Sequence, residues 1–351
     1  MGDNGERRVL RKNARGVAAG VLTPVAAIGV LAILILGIGT GAATPVYGPA
    51  PPPNVLTTLP TIDAIAANTS TVFYQNVDSC QDVYAMAPFG GPGVYAVLPT
   101  PDEPCTEGSL AIALSYNSCG CAGDNLYDVV DGTLYSITDW GTTVTTLATF
   151  PVPSGVREDM GLTWDQVGTF NHDLIITSSS NGQIWLYNIT TGTTTLFMKL
   201  GMYISGPQVA PLGFGSYGGD LLVAEKHANQ VVAITPGAVV STVTAWTEST
   251  GVAFDNAPQG YGFGPQAYTL FVANFTSGAL EAWTNSQLVG YNTTYNSQGW
   301  LMSGNDNGIA SFTGTGATTL FASNTLRLSA ISFVAYTPNC CTSGIQPCPA
   351  P

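Results

Sequence analysis

Residues 161–200 read GLTWDQVGTFNHDLIITSSSNGQIWLYNITTGTTTLFMKL, and this stretch holds one complete structural repeat. Leu174–Tyr187 (LIITSSSNGQIWLY) is two apolar runs around a short polar turn, Asn181-Gly182. Alternation with period two puts successive side chains on opposite faces of a strand, and Asn-Gly tolerates the positive φ of a tight hairpin. Gly161–Asp165 (GLTWD) supplies a strand before the hairpin, and the Thr-rich Thr193–Leu200 supplies one after it. Four strands in about 45 residues form a unit with two apolar faces. Such a unit needs neighbours on both sides.

Neighbours are written along the chain. The hairpin recurs at Val83–Val97, Leu126–Ile137, Leu221–Ile234, Leu270–Trp283 and Trp300–Phe312. The preceding strand recurs at Gly206–Ala210 and Gly251–Asp255, so the glycines 161, 206 and 251 stand 45 residues apart. Thr-rich strands follow at Thr142–Phe150, Ser241–Trp246 and Ala317–Ala322. Six copies predict an all-β, six-bladed β-propeller. The strand at residues 326–336 (LRLSAISFVAY) has no hairpin after it. It is expected to complete the blade begun by the first hairpin, which has only the weak strand Thr71–Tyr74 before it, and so to close the ring without open sheet edges.

Working outward to the N-terminus, the composition changes. Residues 1–15 carry five basic and two acidic residues, a charge of +3; the four basic and twenty acidic residues that follow give −16. A body of that sign repels a phosphate backbone, which argues against nucleic-acid binding. No charge occurs from Gly16 to Ile62, and Val17–Gly39 is apolar over a length sufficient to cross a bilayer. The expected organisation is a cytosolic basic tail (1–15), a transmembrane signal-anchor helix (16–43), a Pro-rich stalk (44–62) and an extracytoplasmic propeller (63–351). The lipid bilayer is then a partner through residues 17–39. The propeller is extracellular or lumenal, or secreted if Gly41-Ala42-Ala43 is a cleavage site. Arg15-Gly16 before the apolar run also bears a weak resemblance to an archaeal pilin-type signal.

All seven cysteines (Cys80, Cys105, Cys119, Cys121, Cys340, Cys341 and Cys348) follow the apolar segment and read as disulfide-forming, with one left over. Ring closure would bring the last three near Cys80 and Cys105, so a disulfide between those groups is expected. Sequons at Asn68, Asn188, Asn274 and Asn292 are candidate glycosylation sites of an exported domain.

Gly251–Asp255 followed by Leu270–Asn274 and Gly278–Leu280 resembles the blade motif of NHL-type and gluconolactonase-like six-bladed propellers, and Gly161–Asp165 with Leu174–Ile176, and Leu222–Glu225, repeat it. The resemblance covers about residues 120–335 and concerns fold. It implies a divalent metal in the central channel, held by acidic and amide side chains near the starts of inner strands. The residues before the inner-strand glycines are Met160, Ser205 and Thr250, which are poor ligands. Asp159, Asp165 and Asp255 are the nearby oxygen donors, a set suited to Ca²⁺, although Asp165 and Asp255 follow their strands, where such residues organise turns.

His172 and His227 read as loop residues without a nucleophile motif, with a lyase-type histidine pair as the alternative. Arg157-Glu158-Asp159 reads as a solvated charge cluster, and Asn305–Gly308 as a hairpin turn rather than a Ca²⁺ loop. Tyr261, Phe263 and Tyr268 belong to a Gly-rich insertion suited either to ligand contact or to covering the core. Three functions follow. The first is a non-enzymatic surface module binding a protein or glycan. The second is a metal-dependent exported hydrolase or lyase, and the third a subunit of a surface layer or filament.

Overall fold

A computed structural model describes residues 52–58, 61–68, 70–76, 79–87, 91–99, 108–113, 125–152, 159–245, 250–255, 267–274, 277–291, 300–305, 308–312, 318–323 and 328–333. The chain divides into two units, Met1–Thr44 and Pro45–Pro351, and every described residue belongs to the second. Val17–Gly39 lies outside the described residues, among which no helix is long and apolar enough to cross a membrane.

The first strand is β1 (Asn54–Thr58), and the next four, β2–β5, are Ile62–Ala67, Val72–Asn76, Ser79–Met86 and Gly93–Val97. Strands β6–β9 are Ser109–Ala113, Asn125–Val130, Thr133–Thr138 and Thr143–Thr149. Strands β10–β13 are Met160–Trp164, Leu174–Ser178, Gln183–Asn188 and Thr193–Lys199. Strands β14–β17 are Ile204–Val209, Leu221–Glu225, Gln230–Ile234 and Val240–Ala245. Then come β18 (Gly251–Asp255), β19 (Tyr268–Asn274), β20 (Ala279–Thr284) and helix α1 (Asn285–Tyr291). The last are β21 (Trp300–Asn305), β22 (Gly308–Phe312), β23 (Thr318–Ser323) and β24 (Leu328–Phe333).

Among the described residues these form six four-stranded antiparallel sheets, an all-β propeller. Four sheets are contiguous in sequence: β2–β5 (sheet 1), β6–β9 (sheet 2), β10–β13 (sheet 3) and β14–β17 (sheet 4). Two are interleaved. Sheet 5 has the order β18-β21-β22-β23, and the closing sheet has the order β24-β19-β20-β1. The first strands β2, β6, β10, β14, β18 and β24 touch in that cyclic order, with β24 meeting β2.

Three expectations are corrected here. The C-terminal strand does not complete the sheet of the first hairpin. It pairs with β19, Leu270 opposite Phe333 and Val272 opposite Ile331, while sheet 1 opens with its own strand Ile62–Ala67. Gly251–Asp255 does not belong with the hairpin 270–283 that follows it; β18 pairs with β21, Gly251 opposite Gly304. Asn54–Thr58, assigned to the stalk, is a strand that pairs with β20 and forms the outer edge of the closing sheet. Ring closure therefore uses both ends of the propeller, with β19 and β20 between them.

The third and fourth strands of every sheet share one irregularity. The register slips between Val83 and Tyr84, Leu134 and Tyr135, Ile184 and Trp185, Val231 and Val232, and Ile309 and Ala310, and between Val55 and Thr57 of β1. A bulge adds local twist, and each sheet acquires it at its outer end.

Packing between sheets explains the glycine spacing. A Cβ on Gly161 would lie 2.4 Å from Pro207 Cδ of the next sheet and 2.4 Å from Thr177 Oγ1. On Gly206, whose φ is +51°, it would lie 2.3 Å from the Cα of Gly251. The repeat thus needs glycine where adjacent first strands converge. Farther out the seams are apolar, with Phe150 and Trp185 rings 5.1 Å apart between sheets 2 and 3, and Phe214 and Phe254 4.8 Å apart between sheets 4 and 5.

Candidate functional site: the central channel and its mouth

The six first strands enclose a cavity of about 150 Å³. Because these strands run the same way around the ring, their N-terminal ends share one mouth. Asp63, Ser109, Asp159, Ser205 and Thr250 line the cavity at or near those ends.

Much of the polar wall is committed to neighbours around the ring. Asp63 Oδ2 accepts from the Gly108 amide (3.2 Å), and Ser109 Oγ accepts from the Leu162 amide (3.0 Å). Thr163 donates to Gln208 Oε1 (3.3 Å), and Ser205 donates to the Thr250 carbonyl (2.9 Å). Each bond joins one first strand to the next. Hydrogen bonds of this kind contribute about 1 kcal/mol each, and more is lost if a buried partner is stranded.

Asp159 is held at the mouth by three hydrogen bonds to Ser179 and Tyr203. Its amide donates to Ser179 Oγ (3.1 Å), and its carbonyl accepts from the Ser179 amide (3.0 Å). The Tyr203 hydroxyl donates to Asp159 Oδ2. The Tyr203 ring lies against that of His227, centroids 4.9 Å apart. His227 is exposed on the turn between β15 and β16, a turn fixed by the buried Glu225, whose Oε2 accepts from the Ala228 amide.

Asp165 has another task. Fully buried, it accepts the amides of Val167 and Gly168 on Oδ1 and those of Phe170 and His172 on Oδ2. It organises the loop after β10, as turn-forming aspartates do. The exposed His172 belongs to this loop, with φ +58° and Nδ1 3.0 Å from the Asp165 carbonyl oxygen. Of the three aspartates proposed as oxygen donors, Asp159 lines the channel and Asp165 shapes a loop, while the side chain of Asp255 lies outside the described residues. Among the described residues no three His, Cys, Asp or Glu side chains gather around a common metal position.

The sequons differ in surroundings. Asn274 is 1% exposed and donates to Glu281 Oε1 at 2.9 Å. Asn68 accepts from the Ser70 and Thr71 amides, and Asn188, at an exposed turn, donates to Asp173 Oδ1 (2.8 Å). Asn292, the side chain of Cys80 and the other six cysteines lie outside the described residues, as do Glu158, Tyr261 and Phe263; Tyr268 opens β19. Asn305 pairs with Gly308 across a hairpin turn.

Several buried carboxyls escaped the sequence reading. Asp128 on β7 is fully buried, and neither carboxylate oxygen has a hydrogen-bond partner of ordinary geometry. Burial pushes its pKa well up, with the nearby Val129 amide and Gln75 side chain only partly offsetting this. Glu281 is also raised by burial, offset in part by Asn274.

No protein-family model and no curated protein matches the chain. Solved structures do. A protein assigned as a gluconolactonase superposes with a TM-score of 0.50 at 10% identity, over 83% of this chain and 96% of that one. A chain of the nidogen/laminin complex superposes with a TM-score of 0.50 at 10% identity, over 78% and 85%. Virginiamycin B lyase from Staphylococcus aureus gives 0.46 at 15% identity, over 77% and 73%. At such identities the likeness shows the fold alone: this chain is a β-propeller.

Proposed function

We propose that this chain is a membrane-anchored, extracytoplasmic binding module, its six sheets acting as the blades of a six-bladed ring with a ligand mouth where the first strands begin. The supporting observation is how the channel wall is used. Asp63, Ser109, Thr163 and Ser205 make hydrogen bonds from one sheet to the next. A wall so engaged favours a rigid binding surface over a reaction centre, which needs a nucleophile or base free to act. The N-terminal apolar run and basic tail support an anchor through residues 17–39, with the N-terminus cytosolic and the propeller extracellular or lumenal.

The test has two arms. Full-length protein in membranes should resist alkaline extraction, with the propeller protected from protease on the cytosolic side; release by alkali would remove the anchor. Purified full-length protein, screened by thermal shift against small molecules and glycans, should be stabilised by a ligand without turning over lactones in the presence of Ca²⁺. Ca²⁺-dependent turnover lost on Asp159→Asn would replace the module with the second reading, a metal-dependent hydrolase. That reading draws on the position of Asp159 at the start of a first strand.

A further inference from the structure

We propose that the mouth of the channel binds a small organic ammonium ion, a primary or quaternary amine, with its charge against Asp159 and its apolar flank against the ring pair Tyr203–His227. This names a ligand class for the binding module above and rests on that reading.

Asp159 lines the cavity while Tyr203 donates to its Oδ2. That bond orients the carboxylate and leaves Oδ1 to take a second donor. A phenol hydroxyl has one proton, so Tyr203 cannot also donate to a ligand; its ring is what it offers. The His227 ring lies alongside at 4.9 Å between centroids. A carboxylate bonded to one member of an aromatic ring pair suits an alkylated cation, which gains from charge and from ring contact together.

Charge and size agree with this. Among the described residues no lysine or arginine lines the cavity, while Asp63 and Asp159 both do, and the chain as a whole carries −13. A clefted surface of one sign concentrates ions of the other. The volume of about 150 Å³ equals that of a cavity able to hold benzene, so the space admits a small organic group and not only a bare ion. A hydrated divalent ion would ask for several converging oxygens, and no such group is formed among the described residues.

The experiment is a titration of the full-length chain in detergent with tetramethylammonium and n-butylamine, read by isothermal calorimetry and by Tyr and His chemical shifts. Neutral neopentyl alcohol and Ca²⁺ serve as comparison probes. The ammonium ions should bind and shift the Tyr203 and His227 signals, with neopentyl alcohol at least tenfold weaker. Asp159→Asn should weaken ammonium binding tenfold or more at unchanged melting temperature. Tyr203→Leu should weaken it severalfold, and Tyr203→Phe, which keeps the ring, much less. Equal affinity for the alcohol and the ammonium, or full binding in Asp159→Asn, overturns the proposal. Ca²⁺ binding at Asp159 with none of the ammonium ions overturns it in favour of a metal site. Stabilisation by neutral ligands alone also defeats it, yet leaves the binding module standing.

Discussion

Sheets 3 and 4 are each drawn from one unbroken stretch of chain, whereas sheet 5 and the closing sheet exchange strands across some 80 residues. Both pairs consist of four antiparallel strands from inside to outside, and both carry the bulge between third and fourth strands. The final sheet is therefore defined by packing, not by chain order. A contiguous sheet closes small loops as it forms. The interleaved pair must first bring β1 to β20 and β24 to β19, and long loops cost entropy before contacts repay it.

The comparison is broken most forcefully in the third strands. Trp185 of sheet 3 and Trp283 of the closing sheet are both buried, and truncating either to Ala should cost about 3–5 kcal/mol. If the closing sheet depends on distant partners, Trp283→Ala should also slow refolding more than Trp185→Ala, measured by stopped-flow fluorescence; equal slowing would remove the kinetic distinction. Next in size is the seam between contiguous and interleaved sheets. Gly206→Ala places a methyl group against Gly251 at a positive φ and should cost about 3 kcal/mol. Gly213→Ala meets nothing within 4 Å and should change a denaturation midpoint little.

A third test concerns Asp128 in contiguous sheet 2. Its folded pKa lies above the unfolded value of about 3.9, so the folded state keeps its proton over a range where the unfolded state has lost it. Its contribution is complete below about pH 3.9 and declines as pH rises through the folded pKa. Asp128→Asn should flatten that decline and raise stability at pH 8 relative to pH 4, seen in melts across pH. An unchanged slope would assign the titration elsewhere. The smallest effect is expected at an outer strand, where exposed Thr195→Ala should stay within about 0.5 kcal/mol by chemical denaturation.

How much of this was written in the sequence depends on the element. Sheets 3 and 4 were readable because Gly161, Gly206 and Gly251 mark where first strands converge, and their spacing is the spacing of the packing itself. β2 and β6 escaped because IDAIAA and SLAIA are short apolar runs with no hairpin glycine. The signal that could have found them is Asp63 and Gly108, also 45 residues apart and hydrogen-bonded across the seam. The partnership of β18 with β21 was not readable. Both nearby hairpins fit a blade equally well, and the choice between them is made by contacts far away in sequence. At the site, Asp159 was recognised as an oxygen donor beside a first strand. Tyr203 was not, because nothing local ties a tyrosine to an aspartate 44 residues earlier.

The place of β1 has a mechanical side. It is an outermost strand, gripped where the chain enters by Gln287 of α1, which accepts from Asn54 Nδ2 (3.2 Å) and donates to the Pro52 carbonyl (3.0 Å). Tension arriving from residues before Asn54, directed away from the sheet, meets that clasp first and then peels β1 from β20 one pair at a time. A seam opened pair by pair needs only one pair to part at a time, so β1 would act as a fuse: a sudden pull would be taken up at the rim before it reached the inner strands.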